Sequence, residues 1–126
     1  MRIVDTSAWI EWFIDSPTGR AIRPNVPSAD RFLVPTIVQF ELAKWLAREA
    51  PEKIEDVIGF TRHCVVASLD TDVALQASRI AAEHRLAIAD SIIYATALAH
   101  NADLLTCDAH FENLPHVLYV PKVPQP

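Results

Sequence analysis

Asp5, Glu41, Asp90 and Asp108 stand at joins between apolar, strand-like runs and helix-like runs, or inside a helix that begins at such a join. Parallel α/β sheets place their chemistry at the carboxyl ends of the strands, so acids distributed this way can converge on one edge. Carboxylates gathered there repel one another unless a hard cation holds them together. Oxygen ligands, few protein contacts and a phosphate as remaining partner suit Mg²⁺ or Mn²⁺. Zinc fits worse, because no His/Cys ligand set is visible in the sequence. The chemistry open to such a site is the cation-assisted hydrolysis expected of a metal-dependent nuclease.

Each acid also has a plainer structural reading. Asp5 can help cap the helix that follows it. Glu41 borders the apolar face of its helix, where a glutamate is ordinarily a solvated flank residue. Asp108 can close an Asx-turn after a strand. Asp90 is the hardest to explain away. It lies in Ala-Ile-Ala-Asp-Ser-Ile-Ile-Tyr-Ala-Thr-Ala-Leu-Ala, the most apolar segment of the chain, and a buried carboxylate without a partner is costly.

The elements that position these acids alternate between strand and helix. Residues 2–4 predict a short strand ending at Asp5, and Thr6 or Ser7 can cap a helix through Phe13. The prolines and glycine between Ser16 and Asp30 predict one short helix broken into a loop. Residues 32–34 predict a second strand, closed by Pro35. From Thr36 to Glu49 the apolar residues recur at three and four, a helix stripe. Pro51 suits the first turn of another helix. Val65-Val66-Ala67 predicts a third strand, and Thr71 caps a helix running through His84. A helix from about Ala89 to His100 follows, with Asn101 as its C-terminal cap. Leu104-Leu105-Thr106 and residues 117–120 are the remaining strands, with a turn or short helix between Asp108 and Asn113. The expected fold is α/β, a parallel sheet flanked by helices in three layers. Residues 1–120 form one domain and residues 121–126 a frayed tail.

The chain has 126 residues, suited to one domain, and its hydrophobic fraction of 51% can build a core without disulfides. Cys64 and Cys107 show no CxxC spacing and are expected to be two reduced thiols. There is no signal-peptide pattern and no apolar window approaching the ~18 residues of a membrane span, so the expectation is a soluble cytoplasmic protein. Lys and Arg number 11 against 16 Asp and Glu, a net charge of −5. That balance argues mildly against a nucleic-acid partner. The objection weakens if a cation neutralises the acids and draws a phosphate to itself. The five histidines, His63, His84, His100, His110 and His116, look scattered, and each is read as a surface or helix-end residue.

Four segments together carry a resemblance. They are Ile-Val-Asp-Thr-Ser-Ala-Trp at the start, Pro-Thr-Ile-Val-Gln-Phe-Glu-Leu-Ala around Glu41, Ala-Asp-Ser-Ile-Ile-Tyr-Ala-Thr-Ala around Asp90 and Leu-Leu-Thr-Cys-Asp-Ala-His-Phe around Asp108. In this order they resemble the PIN-domain ribonucleases, and within them the VapC-type toxins of toxin–antitoxin pairs. The resemblance implies a PIN-like sheet and an acidic pocket for Mg²⁺ or Mn²⁺. It also implies cleavage of RNA by in-line attack of water, leaving 5′-phosphate and 3′-hydroxyl ends. Carried over by position, Asp5 and Asp90 look like the principal metal ligands. Asp108 looks like the fourth acid, supporting the cation or a second one. Glu41 looks like the acid that orients or deprotonates the attacking water. Thr6 and Thr106 fall where relatives use a hydroxyl.

The sequence departs from the pattern in two places. His84-Arg85-Leu86-Ala87 replaces a glycine-rich turn, and Cys107 replaces a basic residue. Phosphate contacts are therefore expected elsewhere, with Arg20 and Arg85 as candidates. The implied partners are a VapB-type antitoxin, covering the acidic pocket, and a second copy of the chain. Trp9, Trp12, Phe13, Phe40 and Trp45 are too dense to face inward together, and the exposed remainder would suit a partner helix. A dehalogenase-type phosphatase would want an Asp where Ser7 stands, and a receiver domain would want a lysine where only Lys122 is available. The remaining alternative is a catalytically silent RNA- or protein-binding module on a PIN fold.

Overall fold

Runs without polar alternation become central strands, because a parallel sheet covered on both sides buries every side chain. The computed structural model describes residues 1–124. Its strands are β1 (Arg2–Val4), β2 (Phe32–Pro35), β3 (Val65–Ala67), β4 (Asp103–Thr106) and β5 (Val117–Tyr119). All pairings are parallel, in the order β3-β2-β1-β4-β5. Ile3 pairs with Leu33 on one side and Leu104 on the other. These central positions are fully buried, whereas Val65 and Val66 on edge strand β3 stay exposed.

Six helices flank the sheet: α1 (Thr6–Phe13), α2 (Pro17–Ile22), α3 (Thr36–Glu49), α4 (Ile54–His63), α5 (Thr71–His84) and α6 (Ile88–Ala99). The expected three-layer α/β order is observed. Single 3₁₀ turns at Arg23–Asn25 and Ala29–Arg31 fill the proline-rich stretch after α2, and another at Pro51–Lys53 leads into α4. No helix among the described residues is long and apolar enough to cross a membrane. Cys64 and Cys107 are free and buried.

Two local expectations need correction, the cap of α5 and the frayed tail. Of the cap candidates at α1 the structure uses Asp5 rather than Thr6 or Ser7, and the cap of α5 lies one residue earlier than Thr71. Asp5 and Asp70 hold the extended backbone an N-cap requires, and their carboxylates accept from Ala8 N and Val73 N. The turn after α5 contains no glycine; Arg85 itself adopts the left-handed conformation at φ 55°, a role glycine usually fills. The tail is tied down in part, because Val123 N donates to the buried Thr18 Oγ1 at 2.9 Å. Residues 125 and 126 of the expected tail lie outside the described residues. The predicted C-terminal cap of α6 is met by Asn101, which takes φ 51° just past the helix.

Helices α1 and α2 approach so closely that only glycine fits at position 19. A Cβ there would lie 1.9 Å from the carbonyl oxygen of Glu11. Because that obstacle is backbone, Gly19→Ala is expected to destabilise the protein by about 3 kcal/mol. Gly59, inside α4, has nothing within 4 Å of its Cβ position. Gly59→Ala is expected to stabilise by about 0.5–1 kcal/mol through helix propensity alone. Urea unfolding of both variants checks the contrast, and equal effects would contradict the tight α1–α2 contact.

Candidate active site

The strand order reverses direction at β1. From β1 the chain runs outward through β2 to β3, while β4 and β5 lie on the other side. The crevice beyond the carboxyl ends of β1 and β4 is therefore the topological switch point, where parallel α/β sheets bind ligands. Asp5 follows β1 directly, and Asp108 follows β4 by two residues.

Asp5 is buried, with 2% of its surface exposed. Its Oδ1 accepts from Ala8 N at 3.0 Å and from Ser7 Oγ at 2.9 Å. Its Oδ2 accepts from Thr106 Oγ1 at 2.8 Å. Capping and a site role are thus compatible, because the cap aims the carboxylate across the β1–β4 crevice. Burial pushes its pKa from the ordinary 3.8 up to about 6, against three hydrogen bonds that pull it down, and the Asp108 charge adds to the rise. A buried carboxylate reluctant to ionise alone is what a cation would relieve.

Asp90 lies in the first turn of α6, whose cap residue Ala87 makes no side-chain hydrogen bond. The Asp90 carboxylate accepts no hydrogen bond from this turn among the described residues, although its negative charge suits the position. Burial raises its pKa first, followed by the charges of Asp108 and Glu41, with His110 opposing them. Asp108 begins the 3₁₀ turn Ala109–Phe111, its Oδ1 accepting from His110 N at 2.9 Å. Its own backbone N–H donates to Thr106 Oγ1 at 2.9 Å. Thr106 therefore joins Asp5 and Asp108 through one hydroxyl. Glu41, on α3, accepts from Thr6 Oγ1 at 2.6 Å, so the first residue of α1 orients the carboxylate of a different helix.

The structure brings Asp90 and Asp108 together and ties the recessed Asp5 to Asp108 through Thr106. Glu41 lines a neighbouring cleft with Thr6 and Lys44, and its charge is felt at Asp90. Ligand atoms of Asp90, Asp108 and His110 lie within 4.8 Å of one another. Two neighbouring carboxylates with a recessed third behind them form an oxygen donor set suited to a divalent cation.

Sequence reasoning missed three residues here. His110 was read as scattered, yet it sits at the mouth of the crevice with Nδ1 2.9 Å from Asp108 Oδ1. The signal was its position two residues after Asp108. Lys44 and Arg48 line a cleft of about 230 Å³ with Thr6, Glu41 and Trp45; they follow Glu41 at helical spacing on one face. Of the cations favoured from sequence, Arg20 is turned to Asp15, donating to its carbonyl at 2.7 Å, and Arg85 forms the turn after α5.

The aromatic residues divide as their density requires. Trp9 is buried, Trp12 half-buried and Phe13 exposed. They line an apolar cleft of about 420 Å³ with Lys53, Asp56, Val57 and Phe60. Phe40 is 60% exposed, and Phe13 meets Trp45 edge to face, ring centres 5.9 Å apart.

Sheet order and crevice define an α/β protein whose acids gather at the switch point of a parallel sheet. The chain belongs to the PIN domain family, whose profile matches residues 2–117. No curated protein matches it in sequence. Several solved structures share its fold. A toxin–antitoxin complex from Klebsiella pneumoniae is similar at TM-score 0.84 and 18% identity, over 98% of this chain and 100% of that one. The DNA-bound VapBC of Salmonella typhimurium is similar at TM-score 0.70 and 23% identity, over 94% and 95% of the two chains. VapC20 of Mycobacterium tuberculosis, described as a sarcin–ricin loop cleaving toxin, is similar at TM-score 0.72 and 16% identity, over 93% and 97%.

Proposed function

We propose that this protein is a Mg²⁺- or Mn²⁺-dependent endoribonuclease, the toxin of a VapBC-type pair acting on cytoplasmic RNA. The observation that supports the reading is the close approach of Asp90 and Asp108, with Asp5 tied to Asp108 through Thr106, on a PIN-family fold. Likeness to toxins of such pairs, one of them an RNA-cleaving protein, supports it. The nuclease is a single domain that ends near residue 120.

In this reading Asp5, Asp90 and Asp108 hold the cation. A bound cation would neutralise charge at the scissile phosphate and make water acidic enough to give up a proton and become the nucleophile. The protein's own groups do the rest. Thr106 and Ser7 fix the Asp5 carboxylate by donating to its two oxygens. Thr6 holds one oxygen of Glu41, leaving the other to take the proton of the attacking water. Lys44 lies beside Glu41 and brings positive charge to where the RNA backbone arrives, whereas Arg48 in the same cleft is paired with Glu49 at 2.9 Å. A net charge of −5 is compatible with RNA binding because a bound cation would neutralise part of the acidic site and draw the phosphate to it.

The apolar cleft of Trp9, Trp12, Phe13 and Phe60 receives an amphipathic segment of a VapB-type antitoxin. Exposed Phe40 and Ile88 flank the acids on α3 and α6 and suit the second copy of a homodimer.

The test is incubation of purified, antitoxin-free protein with labelled tRNA and ribosomal RNA, with Mn²⁺ or Mg²⁺ and with EDTA. Discrete fragments that appear only with the cation are expected. Intact RNA under every condition, from a folded protein, would favour the silent binding module.

A further inference from the structure

The imidazole of His110 has no part in the reading above, yet its placement is built by the fold. Phe111 is completely buried and anchors the turn from below. Phe111 N donates to Asp108 O at 3.1 Å, and His110 N donates to Asp108 Oδ1 at 2.9 Å. Between these two ties His110 has little backbone freedom. Its side chain is 77% exposed, so no packing demand explains its position. One of its ring nitrogens lies within 4.8 Å of an oxygen of Asp90 and of Asp108. Across the crevice, Asp90 comes from a different element, the first turn of α6.

We propose that His110 is a nitrogen ligand of the cation held by Asp90 and Asp108, and that it makes this site prefer a first-row transition cation such as Mn²⁺ over Mg²⁺. The inference rests on the acidic-site reading above and adds selectivity to it. Mg²⁺ keeps octahedral oxygen coordination and gains little from an imidazole. Transition cations accept imidazole nitrogen readily. Carboxylates alone would serve both ions; the nitrogen donor is what separates them. The alternative role for the ring is an ion-pair partner that orients Asp108, which would strengthen binding of either cation alike.

Mn²⁺ binding to the purified protein distinguishes the two. Affinity is read from the electron paramagnetic resonance signal of free Mn²⁺, Mg²⁺ affinity by competition, and directly bound nitrogen from pulsed resonance of the Mn²⁺ complex. The wild-type protein is expected to show a coupled imidazole nitrogen. In His110→Ala that coupling disappears and Mn²⁺ affinity falls by about tenfold or more. Mg²⁺ affinity is expected to stay within about threefold. Nitrogen coupling absent from the wild type, coupling that persists in His110→Ala, or equal loss of both ions would each overturn the assignment. Asp90→Asn in the same titration separates this failure from that of the site itself. Weakened Mn²⁺ binding in Asp90→Asn with none in His110→Ala removes only the histidine. Unchanged binding in Asp90→Asn removes the cation site and this inference with it.

Discussion

Asp90→Asn is expected to lower RNA cleavage by about 10³-fold or more while the protein stays folded. The amide keeps the shape of the carboxyl group but loses the charge that faces Asp108 across the crevice. Metal binding weakens and the phosphate loses its neutralising partner. The fold has little reason to suffer, because the small gain from a negative charge in the first turn of α6 is opposed by burial and by the charges of Asp108 and Glu41. In the absence of metal the variant is expected to be as stable as the wild type, or slightly more so. Glu83→Gln makes the same change of charge on α5, beside a different cleft with His84 and His116, and should leave cleavage intact. Cleavage by Asp90→Asn at near wild-type rate would remove Asp90 from the mechanism.

The second large effect is on stability, and it depends on pH. The Asp5 carboxyl titrates at about 6 in the folded protein against an ordinary 3.8, chiefly because it is buried. The folded state therefore holds this proton more tightly than the unfolded chain. Stability from this group is complete below about pH 4 and is lost as pH rises through about 6. Roughly two pH units correspond to about 3 kcal/mol. In EDTA, the gap between wild type and Asp5→Asn should therefore change by up to about 3 kcal/mol between pH 4 and 7.5. At the upper end the amide relieves the ionisation cost but gives up the charged acceptor of Thr106, worth about 1–1.5 kcal/mol. Asp5→Asn is accordingly expected to be more stable than the metal-free wild type by about 1–2 kcal/mol at pH 7.5. A saturating cation should reverse the order, because it stabilises only the protein that binds it. Urea titrations at several pH values, with and without Mn²⁺, read both effects. Parallel curves in EDTA would show that burial does not perturb Asp5.

Much of this architecture was legible in the sequence because parallel strands leave a coarse signature. Phe32-Leu33-Val34 and Leu104-Leu105 are apolar at consecutive positions, as a sheet buried on both faces requires. Asp5 and Asp108 stood out because each follows the end of such a run, and Asp90 because it interrupts an apolar helix, whereas Glu41 in the middle of α3 carried no such local signal. The finer geometry was not. Thr6 and Asp5 are both good caps, and only the extended backbone at Asp5 decides between them. The link from Thr106 to both Asp5 and Asp108 joins residues 101 positions apart in the chain, which no local pattern encodes. His110 was passed over because its ring reaches Asp108 through a 3₁₀ turn that nothing in the composition of Asp-Ala-His announces. Lys44 and Arg48 were readable from helical spacing. Arg20 looked equally available until Asp15, itself in a left-handed conformation at φ 53°, was placed beside it.

The most direct test of the central claim is the chemistry of the cut ends. Fragments made by the wild-type protein with Mn²⁺ would be tested for a 5′-phosphate and a 3′-hydroxyl. Water delivered between Glu41 and the acids of the crevice requires those ends on every product, with none formed in EDTA. Products ending in 2′,3′-cyclic phosphate, formed equally well in EDTA, would mean that the RNA's own 2′-hydroxyl is the nucleophile and that the acidic crevice is not where cleavage occurs.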